Sequence, residues 1–91
     1  MRESYIEQKV TEYAQKQGWL EYKWASPSHR GVPDRQYFKA GVVIMIEFKA
    51  PGKRPTKLQQ SVHQELAAEG FPVHVIDSID AGKQLFTQAT Q

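Results

Sequence analysis

The spacing of apolar residues changes period several times along the chain, and each change marks an element. Ile6, Val10, Tyr13 and Ala14 recur at helical spacing within Ser4 to Gln17, and Gly18 is a natural stop, so the first predicted element is an amphipathic helix. Trp19 to Trp24 reads as a strand, and Ala25 to Pro33, with Pro27, Gly31 and Pro33, as loop. Two more strands are predicted at Arg35 to Lys39 and Val42 to Lys49, around an Ala40-Gly41 turn. The second opens Val42-Val43-Ile44-Met45-Ile46, apolar on both faces, which predicts a central strand covered on both sides. Pro51, Gly52 and Pro55 then break the chain before a helix over Thr56 to Glu69, with Leu58, Val62 and Leu66 inward and Gly70 at its end. Phe71 to Ile76 is a short apolar strand, and Ser78 to Gln88 a last helix burying Ile79, Leu85 and Phe86. The order is α-β-β-β-α-β-α. The stretch from the central strand to Val73-His74-Val75-Ile76 is long enough for a right-handed crossover, which makes the last two strands parallel. The expected fold class is α/β (α+β), a mixed sheet flanked by helices in one domain spanning residues 1–91.

The hairpin carries the chemistry. With Ala40 and Gly41 as a two-residue loop, Lys39 pairs with Val42, Phe38 with Val43 and Gln36 with Met45, so Asp34 falls across from Glu47. A three-residue loop would instead oppose Asp34 to Ile46, and Ala is a poor residue for the positive φ of the tightest turns. In the two-residue register the carboxylates have Cβ atoms about 4.5 to 5.5 Å apart, where like charges repel. Something positive must sit between them. Lys49 lies on the same strand face two residues beyond Glu47. An Asp, a Glu and a Lys gathered at one strand end can direct a metal-bound water at a phosphate, which is a nuclease reading.

Gross composition narrows this without deciding it. A chain of 91 residues, 40% hydrophobic and 24% charged, is one ordinary soluble domain. It contains no apolar run of the roughly 20 residues that cross a bilayer and no signal-peptide core, so a cytoplasmic location and no membrane partner are expected. The absence of cysteine excludes disulfides and thiolate metal sites, and His29, His63 and His74 lack zinc-type spacing. Any metal would be bound by oxygen. The net charge of +2 is a weak global attractor for nucleic acid. Locally, however, Lys49, Lys53, Arg54 and Lys57 form an acid-free stretch, and His29, Arg30 and Arg35 flank Asp34. A basic rim around an acidic pair suits a polyanion that must be drawn in and cut.

Each residue also has a plainer reading. Asp34 is a candidate strand cap after Pro33, and Lys-rich loops are commonly solvated surface. A Glu directly after five apolar residues on a central strand, by contrast, needs a partner. Thr56-Lys57-Leu58-Gln59 fits a capping box in which Thr56 caps the helix and Gln59 returns the hydrogen bond. Glu7 lies on the border of the first helix's apolar stripe, a usual place for a solvated acid. Trp19, Tyr22, Trp24 and Tyr37 could stack on bases, but at strand spacing most are expected to pack.

Asp34 after Pro33 at a strand start, followed by Glu47-Phe48-Lys49 on the next strand, resembles the PD-(D/E)XK nuclease superfamily. More closely, Gly31-Val32-Pro33-Asp34, Glu47-Phe48-Lys49-Ala50-Pro51-Gly52 and Gln59 in the following helix resemble the virus-type replication-repair nuclease domain, VRR-NUC. The resemblance runs from Glu7 to the strand ending at Ile76. It implies a restriction-endonuclease-like core and a metal site in which Asp34, Glu47 and the carbonyl of Phe48 hold a divalent cation, with Glu7 as a nearby helix-borne acid. Oxygen ligation of that kind suits Mg²⁺ or Mn²⁺. Asp34, Glu47, Lys49 and Gln59 are then the catalytic residues, Gln59 orienting Lys49 or touching DNA. His29, Arg30, Arg35, Lys53, Arg54 and Lys57 are the DNA-binding set.

The activity expected from this is metal-dependent hydrolysis of DNA phosphodiester bonds. The resemblance further implies selectivity for branched DNA such as a Holliday junction, cut by a homodimer. One rival is a nucleic-acid-binding module that keeps the fold but does not cleave, although a pure binder gains nothing from two acids that repel phosphate. A second is a protein-interaction domain, which predicts neither Mg²⁺ affinity nor salt-sensitive DNA binding.

Overall fold

Ile6, Val10 and Ala14 put one apolar stripe on helix α1 (Glu3–Lys16), and all three are fully buried. In the computed structural model, which describes residues 1–89, the stripe packs on one face of a four-stranded sheet. The strands are β1 (Leu20–Lys23), β2 (Arg35–Lys39), β3 (Val42–Phe48) and β4 (Val73–Ile76), in spatial order β1-β2-β3-β4. Helix α2 (Lys57–Ala68) makes the crossover from β3 to β4, and α3 (Ile79–Ala89) follows β4. The first three strands are antiparallel neighbours and β3 pairs with β4 in parallel, giving the mixed sheet expected of the pattern.

The hairpin turn is the tight one. Ala40 and Gly41 both have positive φ, +49° and +81°, as a two-residue turn matched to strand twist requires. Lys39 therefore pairs with Val42 and Arg35 with Ile46, and this register carries Asp34 to a position opposite Glu47. The Trp24 N–H donates to the Asp34 carbonyl at 2.9 Å and the Lys49 N–H to the Ile76 carbonyl at 3.0 Å, so backbone pairing holds both site residues just past their strand ends.

Side-chain alternation divides the sheet into two unlike faces. Tyr37, Ile44, Ile46 and Phe48 point toward α1 and α3 and are buried there with Ile76 and Phe86. Phe86 meets Tyr37 and Trp19 edge to face, with ring centroids 4.8 and 5.2 Å away, and the Tyr37 hydroxyl bonds to Thr11 at 2.8 Å. Helices α1 and α3 touch so closely that a Cβ on Gly82 would lie 2.4 Å from a Val10 methyl.

The other face differs from expectation. Val43 stays exposed on this face, as does Val42 on the first, so β3 is covered on both sides only toward its C-terminal end. Leu58, predicted to point inward, is also exposed, and α2 contributes no fully buried side chain. The physical reason is that α1 and α3 share one face, leaving α2 alone on the second. Ile79 and Leu85 are likewise only partly buried at the margin of the core. Among the described residues, no helix is long and apolar enough to cross a membrane.

Candidate active site

Glu47 is the most buried charged side chain at the end of the sheet, only 2% exposed. Alternation puts it on the α2 face, to which α2 contributes no fully buried side chain. Its Oε2 accepts from Gln59 Nε2 at 3.2 Å and lies 3.8 Å from the Lys49 ammonium. Asp34 is held by the register and by the Phe48 N–H, which donates to its Oδ2 at 2.7 Å. Burial, then the neighbouring Asp34 carboxylate, push the Glu47 carboxyl up to about 8, against the pull of Lys49. Asp34 is raised as well, by burial in the first place, with the Phe48 N–H opposing. Two acids that resist ionising beside each other form a site deficient in positive charge.

Helix α2 reaches this site through a fixed anchor. Gly31, at φ +88°, lies so close that a Cβ would stand 3.0 Å from the Leu58 carbonyl oxygen and a Val62 methyl. Only glycine accommodates both the conformation and the approach. Buried Pro33 then delivers the chain to Asp34. At the start of α2, Thr56 and Gln59 form the reciprocal capping box: Thr56 Oγ1 accepts from the Gln59 N–H at 3.1 Å, and Gln59 Oε1 accepts from the Thr56 N–H at 2.9 Å. The capping role and the contact with the site coexist, because Gln59 uses its oxygen for the cap and its amide nitrogen for Glu47.

The remaining predicted residues fall into three groups. Lys53, Arg54 and Lys57 are exposed in the turn after Lys49 and at the start of α2. Arg30 is also exposed, whereas His29 lines a groove between its loop and α2 that includes Glu65 and Glu69. Arg35 points to the opposite face, where its guanidinium bridges Glu7 and Glu21, the latter at 2.7 Å. Glu7 is thus engaged by Arg35, yet it remains close enough to Asp34 to help raise that carboxyl.

Sequence spacing missed His63. It stands one turn after Gln59 on the same face of α2, the i, i+4 relation that could have flagged it. Its Nε2 lies 3.8 Å from Glu47 Oε1, and burial first, then the Lys49 charge, lower its pKa.

The donor set suits a hard divalent cation. Glu47 Oε1 is buried with no hydrogen-bond partner, one ammonium, that of Lys49, faces two carboxylates, and both acids offer oxygen donors. Among the described residues, no three His, Cys, Asp or Glu side chains converge closely enough to hold a metal by themselves. Backbone carbonyl and water oxygens would have to complete the shell, and Phe48, between Glu47 and Lys49, has a carbonyl to offer.

No family model matches the chain. It is 43% identical over 81 residues to a protein of Acyrthosiphon pisum secondary endosymbiont phage 1 named "Putative nuclease p44", an overlap covering 88% of this chain and 87% of that one. It also superposes on a solved structure described as a VRR_NUC domain with a TM-score of 0.85, covering 93% of this chain and 94% of that one at 23% identity.

Proposed function

The chain belongs to the family of the phage protein named "Putative nuclease p44" and has the fold of a VRR_NUC domain, and from that premise we propose that it is a divalent-metal-dependent endonuclease of the VRR-NUC, PD-(D/E)XK type, acting on DNA. The observation that carries this reading is a buried Glu47 pressed against Asp34, with the Lys49 ammonium 3.8 Å from its outer oxygen. Asp34, Glu47 and the Phe48 carbonyl would hold Mg²⁺ or Mn²⁺. The cation supplies charge neutralisation at the phosphate and a more acidic water. Lys49 would hold the attacking water by hydrogen bond and offset charge on the phosphate oxygens. Gln59 fixes the Glu47 carboxylate through Oε2. The exposed Lys53, Arg54 and Lys57 draw in the backbone, a sequence-independent attraction.

The finer reading is a homodimer cutting branched DNA. It is supported by the open side of the sheet, where Leu20, Tyr22, Val43 and Val75 remain 38% to 59% exposed. These apolar side chains lie on the face that ends at Glu47, and a second copy of the same surface is the partner they suit. The basic rim stays free for DNA in such a pairing. Incubation with labelled linear, flapped and four-way-junction DNA, with and without Mg²⁺, tests activity and substrate together. The expected result is Mg²⁺-dependent cutting, strongest on the junction and absent in Glu47→Ala. Cleavage that persists in Glu47→Ala would refute the assignment.

A further inference from the structure

Glu47 Oε1 and His63 Nε2 are both buried and without a hydrogen-bond partner, and each is the other's neighbour at 3.8 Å. Two orphaned polar atoms facing one another need explaining, since buried polar groups are nearly always satisfied. A side-chain shift of less than about 1 Å closes that separation to an ordinary N–H···O distance. We propose that His63 is a positioning residue for Glu47: its Nε2–H engages Oε1 while Gln59 Nε2 engages Oε2, so that one face of α2 sets the plane of the carboxylate.

The two contacts are geometrically linked. Gln59 and His63 lie four residues apart on one helix face, and the oxygen that His63 approaches is the one left free by Gln59 and Lys49. The amide of Gln59 cannot turn over without losing its cap, because its oxygen is committed to the Thr56 N–H. Helix α2 itself is seated on Gly31 at Leu58 and Val62, the residues immediately before Gln59 and His63. Loop, cap and clamp therefore form one chain of contacts ending on the carboxylate. The donor role is favoured over metal ligation, because Asp34, Glu47 and His63 do not converge as a three-ligand set.

The inference rests on the metal reading for its consequence but not for the contact itself. Partners that orient a metal ligand typically contribute about 10- to 100-fold in metal affinity. Calorimetric titration with Mn²⁺ should show His63→Ala binding at least about 10-fold more weakly than the unaltered protein. His63→Gln, which keeps an N–H donor near the Nε2 position, should recover most of that loss. Nitrogen-15 NMR of the metal-free protein at pH 9, where the Glu47 carboxyl is ionised, should show the Nε2-protonated tautomer at His63, with a slowly exchanging proton that is lost in Glu47→Ala. Equal Mn²⁺ affinity in all three proteins, or equal weakness of His63→Ala and His63→Gln in a folded state by circular dichroism, overturns the proposal. Failure of the unaltered protein to bind Mn²⁺ refutes the metal reading alone. In that event the tautomer decides the contact, and an Nδ1-protonated ring refutes it.

Discussion

The two faces of the sheet are built on opposite terms. Toward α1 and α3, Ile44, Ile46, Phe48, Tyr37 and Phe86 leave almost no surface to water; Thr11 and Tyr37 satisfy each other there, and Trp19 Nε1 is buried without a partner. Toward α2 the same strands present exposed Val43 and Val75, then a buried Glu47 whose outer oxygen is served by Gln59 and whose inner one has no donor. One face closes a core. The other forgoes that burial to keep charge at a strand end, and the difference teaches that stability and chemistry are drawn from separate sides of one set of strands.

The largest effects should therefore separate cleanly by face. Glu47→Ala is expected to reduce Mg²⁺-dependent cleavage by at least about four orders of magnitude, roughly 5 kcal/mol of barrier. It should leave the far-ultraviolet circular dichroism spectrum unchanged, because the side chain contributes nothing to the α1/α3 core. Loss of helix signal in that variant would contradict the separation. On the closed face, Phe86→Ala should destabilise the protein by about 3 to 5 kcal/mol, since it empties a fully buried aromatic site against Tyr37 and Trp19. Tyr22→Ser on the open face should change monomer stability by no more than about 0.5 kcal/mol, and sedimentation should show the proposed dimer dissociating. Equal destabilisation by the two substitutions would erase the contrast.

Much of this division was legible in the sequence, and the failures share a cause. Alternation along Val42 to Glu47 and the Ala40-Gly41 turn predict the pairing that carries Asp34 to Glu47, because hairpin register is local. Lys49 follows from the same two-residue period, and Gln59 was visible both as a cap and as part of the family resemblance. Arg35 was read as part of the basic rim. Its engagement by Glu7 and Glu21 depends on how α1 and β1 lie against β2, which no local spacing reveals. Leu58 sits at correct helical spacing yet stays exposed, because periodicity tells which face of a helix is apolar and not how much surface there is to cover it. His63 is brought to Glu47 only by the crossover that folds α2 onto the sheet.

A smaller effect tests whether the α2 face is electrostatically deficient. Glu47 has a folded-state pKa raised to about 8 from an ordinary 4.5, by burial and by Asp34. A carboxyl shifted upward binds its proton more tightly in the folded chain than in the unfolded one, so its contribution to stability is complete below 4.5 and is lost as pH rises through 8. Between pH 7 and 9 the metal-free protein should lose about 1 kcal/mol, and Glu47→Gln should show no such loss. His63 and His74 have lowered values and act below this window, with the opposite sign. On the proposed metal reading, Mn²⁺ would compete with the proton on Glu47, so the stabilisation it gives should grow across the same interval. Parallel denaturation curves for the two proteins from pH 7 to 9 would contradict the raised carboxyl.

The smallest expected effect lies at the far end of the same hairpin and isolates the register from the site. Ala40 is an exposed residue in the left-handed region, at φ +49°, a conformation that costs an L-residue roughly 1 to 2 kcal/mol. Asparagine visits that region far more readily, and Asn-Gly is a favoured pair for this turn. Ala40 contributes no buried contact that the substitution would remove. Ala40→Asn should accordingly stabilise the protein by about 0.5 to 1 kcal/mol, measured by denaturant midpoint, and leave the cleavage rate where it was. Because a one-residue slip would carry Glu47 to the α1/α3 face and Asp34 away from it, an unchanged rate in a more stable protein means that the turn already holds the register observed. A fall in both stability and cleavage would show that the carboxylate pair depends on a different loop.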